Sequence, residues 1–175
     1  PTDAQAQRGL SFSYSKLGNV SLQAGQVTEA LAFYQQSLDI SKTLAAVDPT
    51  DARAQRSLSV SLERLGVVSL QLGKLNDARD FFEQKRALDV RLVGLDPDNA
   101  EFQRNLSISY NKLGDVSLQA GQVPEALAFY RRHNDICKTL AAADPTNAQA
   151  QRGLSISYER LGDVSRQTGQ VPEAL

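Results

Sequence analysis

The dipeptide Leu-Gly recurs at Leu17-Gly18, Leu65-Gly66, Leu113-Gly114 and Leu161-Gly162, and Asp-Pro recurs at Asp48-Pro49, Asp96-Pro97 and Asp144-Pro145. Each spacing is 48 residues, without an insertion. Residues 1–48 and 97–144 are identical at 33 positions and differ at 15. A short unit that cannot bury its apolar side alone must stack on its neighbours, so a strict period of this length predicts a helical array. The 175 residues are read as one array: repeats at 1–48, 49–96 and 97–144, and a truncated fourth repeat at 145–175.

Within a unit the pattern predicts two helices. Leu58, Leu62, Leu65 and Ser69 recur at steps of four, three and four, which is one side of a helix. Asp48 is placed as N-cap with Pro49 in the first helical position, and Asn76 as cap of the next helix after the break at Gly73. Pro124 and Pro172 occupy the start of later second helices. First helices are expected at 2–23, 50–71, 98–119 and 146–167. Second helices are expected at 28–46, 76–94 and 124–142, plus a stub from Pro172, with Ala78, Phe82 and Leu92 facing inward. The fourth first helix keeps a core stripe of Leu154, Tyr158, Leu161 and Val164 with almost no second helix to cover it. That uncapped C-terminal end predicts self-association. A start at Pro1 without an initiating Met reads as a segment of a longer protein.

Composition narrows the function. Nineteen basic against twenty acidic side chains leave a net charge of −1, whereas nucleic-acid binders carry a basic excess, so no nucleic-acid partner is expected. No apolar run reaches the roughly 20 residues of a membrane span, so no membrane partner is expected. Cys137 and His133 are the only residues of their types, which removes disulfides, Cys-built metal cages and Ser-His-Asp chemistry. His133 and Cys137 stand four apart on one helical side, but a zinc site needs further ligands. Glu29, Glu125 and Glu173 repeat at helix starts, where they favour the macrodipole. No catalytic residue, cofactor or metal is assigned, and the chain is expected to be non-enzymatic. The single free thiol suggests a cytoplasmic setting.

The in-phase set Leu17, Gly18, Gly25, Ala30 and Tyr34 resembles the tetratricopeptide repeat, as do Leu65, Gly66, Gly73, Ala78, Phe82 and Leu113, Gly114, Gly121, Ala126, Tyr130. Leu161, Gly162, Gly169 and Ala174 continue the series. The resemblance implies an all-α, right-handed α-solenoid of antiparallel helix-turn-helix repeats. Two departures stand out. The period exceeds the family's usual one by 14 residues, and a position where the family prefers a small side chain holds Ser37, Lys85 and His133. Leu38 likewise becomes Arg86 and then Asn134.

The resemblance also implies that first helices line a groove receiving a peptide or a helix. By phase, the groove stripe of the first unit is Arg8, Phe12, Ser15, Lys16, Asn19, Leu22 and Gln23. Across units it becomes a row Arg8, Arg56, Arg104, Arg152, a row Lys16, Arg64, Lys112, Arg160, and between them an apolar row Phe12, Val60, Ile108, Ile156, with Asp115 and Asp163 at the groove place of Asn19 in the third and fourth units. Two basic rows flanking an apolar one complement an acidic peptide with apolar anchors. The competing reading is structural: Lys112 and Arg160 pair with Asp115 and Asp163, and the Arg8 row ties each unit to acids in the neighbouring Asp-Pro turn. Some members of the family grip a C-terminal carboxylate with Lys and Asn. Asn19 matches one such place, but Glu63, Asp115, Glu159 and Asp163 would repel a carboxylate, so that clamp is not carried over. The expected function is a protein-interaction scaffold. The alternative is a structural spacer or self-association module of a larger protein.

Overall fold

The computed structural model describes residues 3–168. The fold is all-α: α1 (Ala4–Gln23), α2 (Val27–Val47), α3 (Ala52–Gln71), α4 (Leu75–Leu95), α5 (Ala100–Gln119), α6 (Val123–Ala143) and α7 (Ala148–Thr168). Odd-numbered helices start at 4, 52, 100 and 148, and even-numbered ones at 27, 75 and 123. The stub expected from Pro172 lies outside the described residues. Two compact units divide the chain at Leu88 and Asp89.

Expected and observed helices agree within two residues, but the helix starts are corrected. Asp48 is not the N-cap of α3. It ends α2, and its carboxylate accepts from the Thr50 amide (2.9 Å) and hydroxyl (2.7 Å). The cap is Asp51, which accepts from the Arg53 and Ala54 amides at 2.9 and 3.1 Å. Asn99 and Asn147 do the same for α5 and α7. Pro49 therefore sits in the turn, where its fixed φ suits the bend. Asn76 lies inside the first turn of α4 rather than capping it. Pro124 does stand at the start of α6.

In the first unit, Ala30, Tyr34 and Leu38 of α2 bury against Leu62, Leu65 and Val68 of α3, with Leu58 and Phe81 at the margin. The repeated glycine of the first helices has a specific task. A Cβ on Gly66 would lie 2.5 Å from the Phe82 ring, and one on Gly18 2.5 Å from the Tyr34 ring. The glycine makes room for the second-helix aromatic, so the hairpin closes around a ring more than around the neighbouring Ala. At the turn, Gly25 adopts φ 77°, a left-handed conformation that a side chain disfavours. In the second unit, Ala126 and Tyr130 of α6 meet Val164 of α7, flanked by Leu118, Leu127 and Leu161.

A seam of buried polar groups runs through these apolar contacts. In the first unit Ser37 and Ser41 of α2 meet Ser11 of α1 at 2.9 and 3.1 Å. Ser15 lies 2.9 Å from Ser37, and Ser61 of α3 lies 3.3 Å from both. Ser15 is therefore a buried seam residue, not part of the groove stripe expected for it. One turn-pair in the second helix carries a different chemistry in each repeat: Ser37 and Ser41, Lys85 and Asp89, then His133 and Cys137. Lys85, 1% exposed, has its ammonium 3.8 Å from Glu63, and Ser109 donates to Asp89 at 2.6 Å.

Candidate peptide-binding face

The first-helix residues proposed for a groove separate into two chemically different sets. In the first unit Phe12 is 63% exposed and Val60 38% exposed. The Lys16 ammonium stands 5.1 Å from the centroid of the Phe12 ring, and the Arg64 guanidinium 5.7 Å from that of Tyr34. Among the described residues neither cation has a carboxylate partner. Their charge is spread only over ring faces, an interaction worth about 0.5–1 kcal/mol at an exposed site. Apolar surface and uncompensated positive charge thus occur together on α1 and α3.

In the second unit the equivalent cations share one carboxylate partner. Lys112 lies 3.9 Å and Arg160 3.7 Å from the Asp115 carboxylate, which also accepts from the Tyr130 hydroxyl at 2.9 Å. Arg160 therefore pairs with Asp115 on the preceding first helix, not with Asp163 three residues on as its spacing predicts. Asp163 pairs with Arg166 instead, at 2.8 Å. Ile108 and Ile156 are half-buried. Burial, reinforced by the negative Asp115, raises the Tyr130 hydroxyl far above the usual phenol range.

Asn19 and Asp115 were placed in the groove by phase, but their side chains are already engaged. Tyr34 donates to Asn19 Oδ1 at 2.7 Å, matching the Tyr130–Asp115 bond. The sequence holds a signal for this. Where Phe82 replaces the tyrosine, Val67 stands at the acceptor's place, so the polar pair is exchanged as a pair for an apolar one.

The Arg8 row follows the structural reading where its partner is acidic. Arg8 bridges to Asp51, the N-cap of α3, and so links the starts of α1 and α3. In the same phase as Asp51 stand Asn99 and Asn147, neutral caps. Arg56 and Arg152 are exposed, and Arg104 is half-buried.

His133 and Cys137 belong to the buried seam. The thiol lies 3.6 Å from His133 Nδ1 and 4.0 Å from the Ser107 hydroxyl, while Asn134 donates to Ser157 at 2.9 Å. Burial lowers the imidazole's affinity for a proton and raises the thiol's pKa, so both are held neutral. Among the described residues no group of three or more side chains suited to a metal is present. Among the same residues no helix is long and apolar enough to cross a membrane.

Comparison places this geometry among known proteins. The family model "Tetratricopeptide repeat" matches residues 13–50. No curated protein matches the sequence. BtubC from P. vanneervenii aligns over 97% of this chain and 59% of its own, with a TM-score of 0.74 and 21% identity. The chain thus spans about three-fifths of that relative. The first tetratricopeptide domain of Spaghetti (RPAP3), bound to the HSP90 peptide SRMEEVD, aligns over 91% of this chain and 96% of its own, with TM-score 0.51 and 18% identity. The Rap conjugation gene regulator of the plasmid pLS20, in complex with the Phr* peptide, aligns over 93% and 43%, with TM-score 0.55 and 17% identity. These likenesses show the fold, that of helical-repeat α-solenoids.

Proposed function

We propose that the chain is an interaction scaffold of tetratricopeptide-like repeats whose first-helix side in the first unit holds an acidic peptide or helix with apolar anchors. One observation carries this reading. Lys16 and Arg64 flank exposed Phe12 and Val60 and find only aromatic rings, whereas their counterparts Lys112 and Arg160 converge on Asp115. An incoming carboxylate gains most where a cation is uncompensated, and the apolar pair supplies desolvated contact between the charges. The peptide bound by one structurally similar protein agrees with this chemistry: SRMEEVD combines acidic residues with Met and Val. The groove narrows accordingly to Phe12, Lys16, Val60 and Arg64, with Asn19 and Asp115 acting inside the hairpins and Arg8 as a brace.

A random-peptide display library panned on the 175-residue chain tests this reading. Enrichment of sequences with two or more acids interspersed with aliphatic or aromatic residues is expected. Enrichment of basic or uncharged sequences, or none, overturns it.

A second reading, self-association through α7, has one supporting observation. Among the described residues a Cβ on Gly162 would meet nothing within 4 Å, although its counterparts Gly18, Gly66 and Gly114 each face an aromatic ring. Sedimentation across a hundredfold concentration range checks it; a constant monomer mass removes it.

A further inference from the structure

Each first helix carries the same four-residue apolar side: Leu10, Tyr14, Leu17 and Val20 on α1; Leu58, Leu62, Leu65 and Val68 on α3; Leu106, Tyr110, Leu113 and Val116 on α5; Leu154, Tyr158, Leu161 and Val164 on α7. Within the first unit α2 covers this side of α3, and within the second α6 covers it on α7. Leu65 and Val68 are buried completely, and Val164 almost so. On α1 the same side is open at Leu10, Leu17 and Val20, exposed at 43, 46 and 62%, while Tyr14 is half-buried beside the Phe33 ring of α2.

One polar feature accompanies this side wherever it is covered, and a second accompanies it on α3. A serine in fixed phase bonds to the preceding second helix: Ser61 to Ser37 and Ser41, Ser109 to Asp89, and Ser157 to Asn134. Its α1 counterpart, Ser13, is exposed and turns back to the Gly9 carbonyl at 3.0 Å. The second feature is Arg64, which lies over Tyr34 of the covering helix; its α1 counterpart is the exposed Lys16.

We infer that the open side of α1 is a docking surface for an amphipathic helix from outside these 175 residues that repeats the pattern of α2. That pattern is a small residue, an aromatic four places on, a hydrogen-bonding side chain at the seventh and eleventh, and an aliphatic at the eighth, as in Ala30, Tyr34, Ser37, Leu38 and Ser41. The aromatic lies under Lys16, the polar side chains meet Ser13, and the aliphatics cover Leu10, Leu17 and Val20. A second folded copy does not supply such a helix, because Ala30, Tyr34 and Leu38 of α2 and Ala126 and Tyr130 of α6 are already buried, as are Ala78, Phe82 and Leu88 of α4. This surface is distinct from the acidic-peptide face and shares with it Lys16 alone.

The probe is a fluorescent synthetic peptide with the sequence of residues 27–47, titrated into the 175-residue chain and followed by anisotropy. Saturable binding is expected with Kd in the range of about 1–100 µM. Leu17→Asp/Val20→Asp, both at exposed positions, weakens it by about tenfold or more with unchanged helical circular dichroism. A Leu38→Asp change in the peptide does the same, whereas Arg64→Glu in the chain leaves it intact. The double variant keeps its acidic-peptide binding, so failure here is separable from failure of that face. No saturation up to about 1 mM, or equal binding by the double variant, overturns the assignment. So does a dimer of the native chain that Leu17→Asp/Val20→Asp converts to monomer, which would place a second copy on this surface.

Discussion

The Tyr130 hydroxyl donates to the Asp115 carboxylate at 2.9 Å, and the same carboxylate draws in Lys112 and Arg160 from two first helices. One acid therefore closes the α5–α6 hairpin and offsets part of the positive charge of both cations. In the first unit the neutral Asn19 closes the equivalent hairpin through Tyr34 and compensates nothing. At this position Asp for Asn accompanies paired cations in the second unit and cations that meet only ring faces in the first.

Replacing the two tyrosines measures this difference. Hydrogen bonds to charged groups contribute about 1.5–3 kcal/mol and neutral ones about 0.5–1.5 kcal/mol, so Tyr130→Phe costs more than Tyr34→Phe. Urea unfolding of both variants checks the order. Equal losses would mean that Asp115 is satisfied without the phenol.

Much of the helix layout was legible in the sequence, because Leu-Gly and Asp-Pro punctuate every unit and the apolar steps fix which side is buried. The expected and observed caps differ because Asp48, one position before Pro49, and Asp51, two after it, are both good capping residues; only the bond partners show that the first ends α2 and the second begins α3. Helical phase placed Asn19 and Asp115 in the groove, since phase gives the direction of a Cβ and says nothing of the tyrosine reaching it from α2 or α6. The serine seam was hidden by residue type. Serine reads as solvent-facing, yet Ser11, Ser59 and Ser107 repeat in strict phase and are all buried.

The glycine on the first helix makes opposite predictions at its two kinds of site. Gly66→Ala drives a Cβ to 2.5 Å from Phe82 and is expected to cost about 1–3 kcal/mol, more than the helix propensity it gains. Gly162→Ala meets no neighbour among the described residues and is expected to stabilise by up to about 1 kcal/mol. Chemical denaturation of the two variants reads both signs. Destabilisation by Gly162→Ala would show that a side chain fills the space beside α7.

His133 gives the second unit a pH dependence. Burial holds its pKa below the ordinary value of 6.5, so between those two values the unfolded chain binds more protons than the folded one. Stability is then complete above about pH 6.5 and falls as pH drops toward the folded pKa, by no more than about 1.4 kcal/mol per unit. The groups that bear on it are Ser107, Asp115 and Arg160, with Asp115 favouring protonation and Arg160 opposing it. In His133→Ser, which installs the residue found at Ser37, stability between pH 5.5 and 7.5 should lose this slope. A slope unchanged in the variant would locate the titrating group elsewhere.

The most direct test of the central claim compares two neutralised pairs for binding of an acidic peptide selected from the display library. Calorimetric titration of Lys16→Gln/Arg64→Gln is expected to show affinity weakened by about tenfold or more, and of Lys112→Gln/Arg160→Gln a change within about threefold, both chains retaining native circular dichroism. Equal losses from the two pairs, or undiminished binding by the first, would contradict the assignment of the ligand to the uncompensated cations of the first unit.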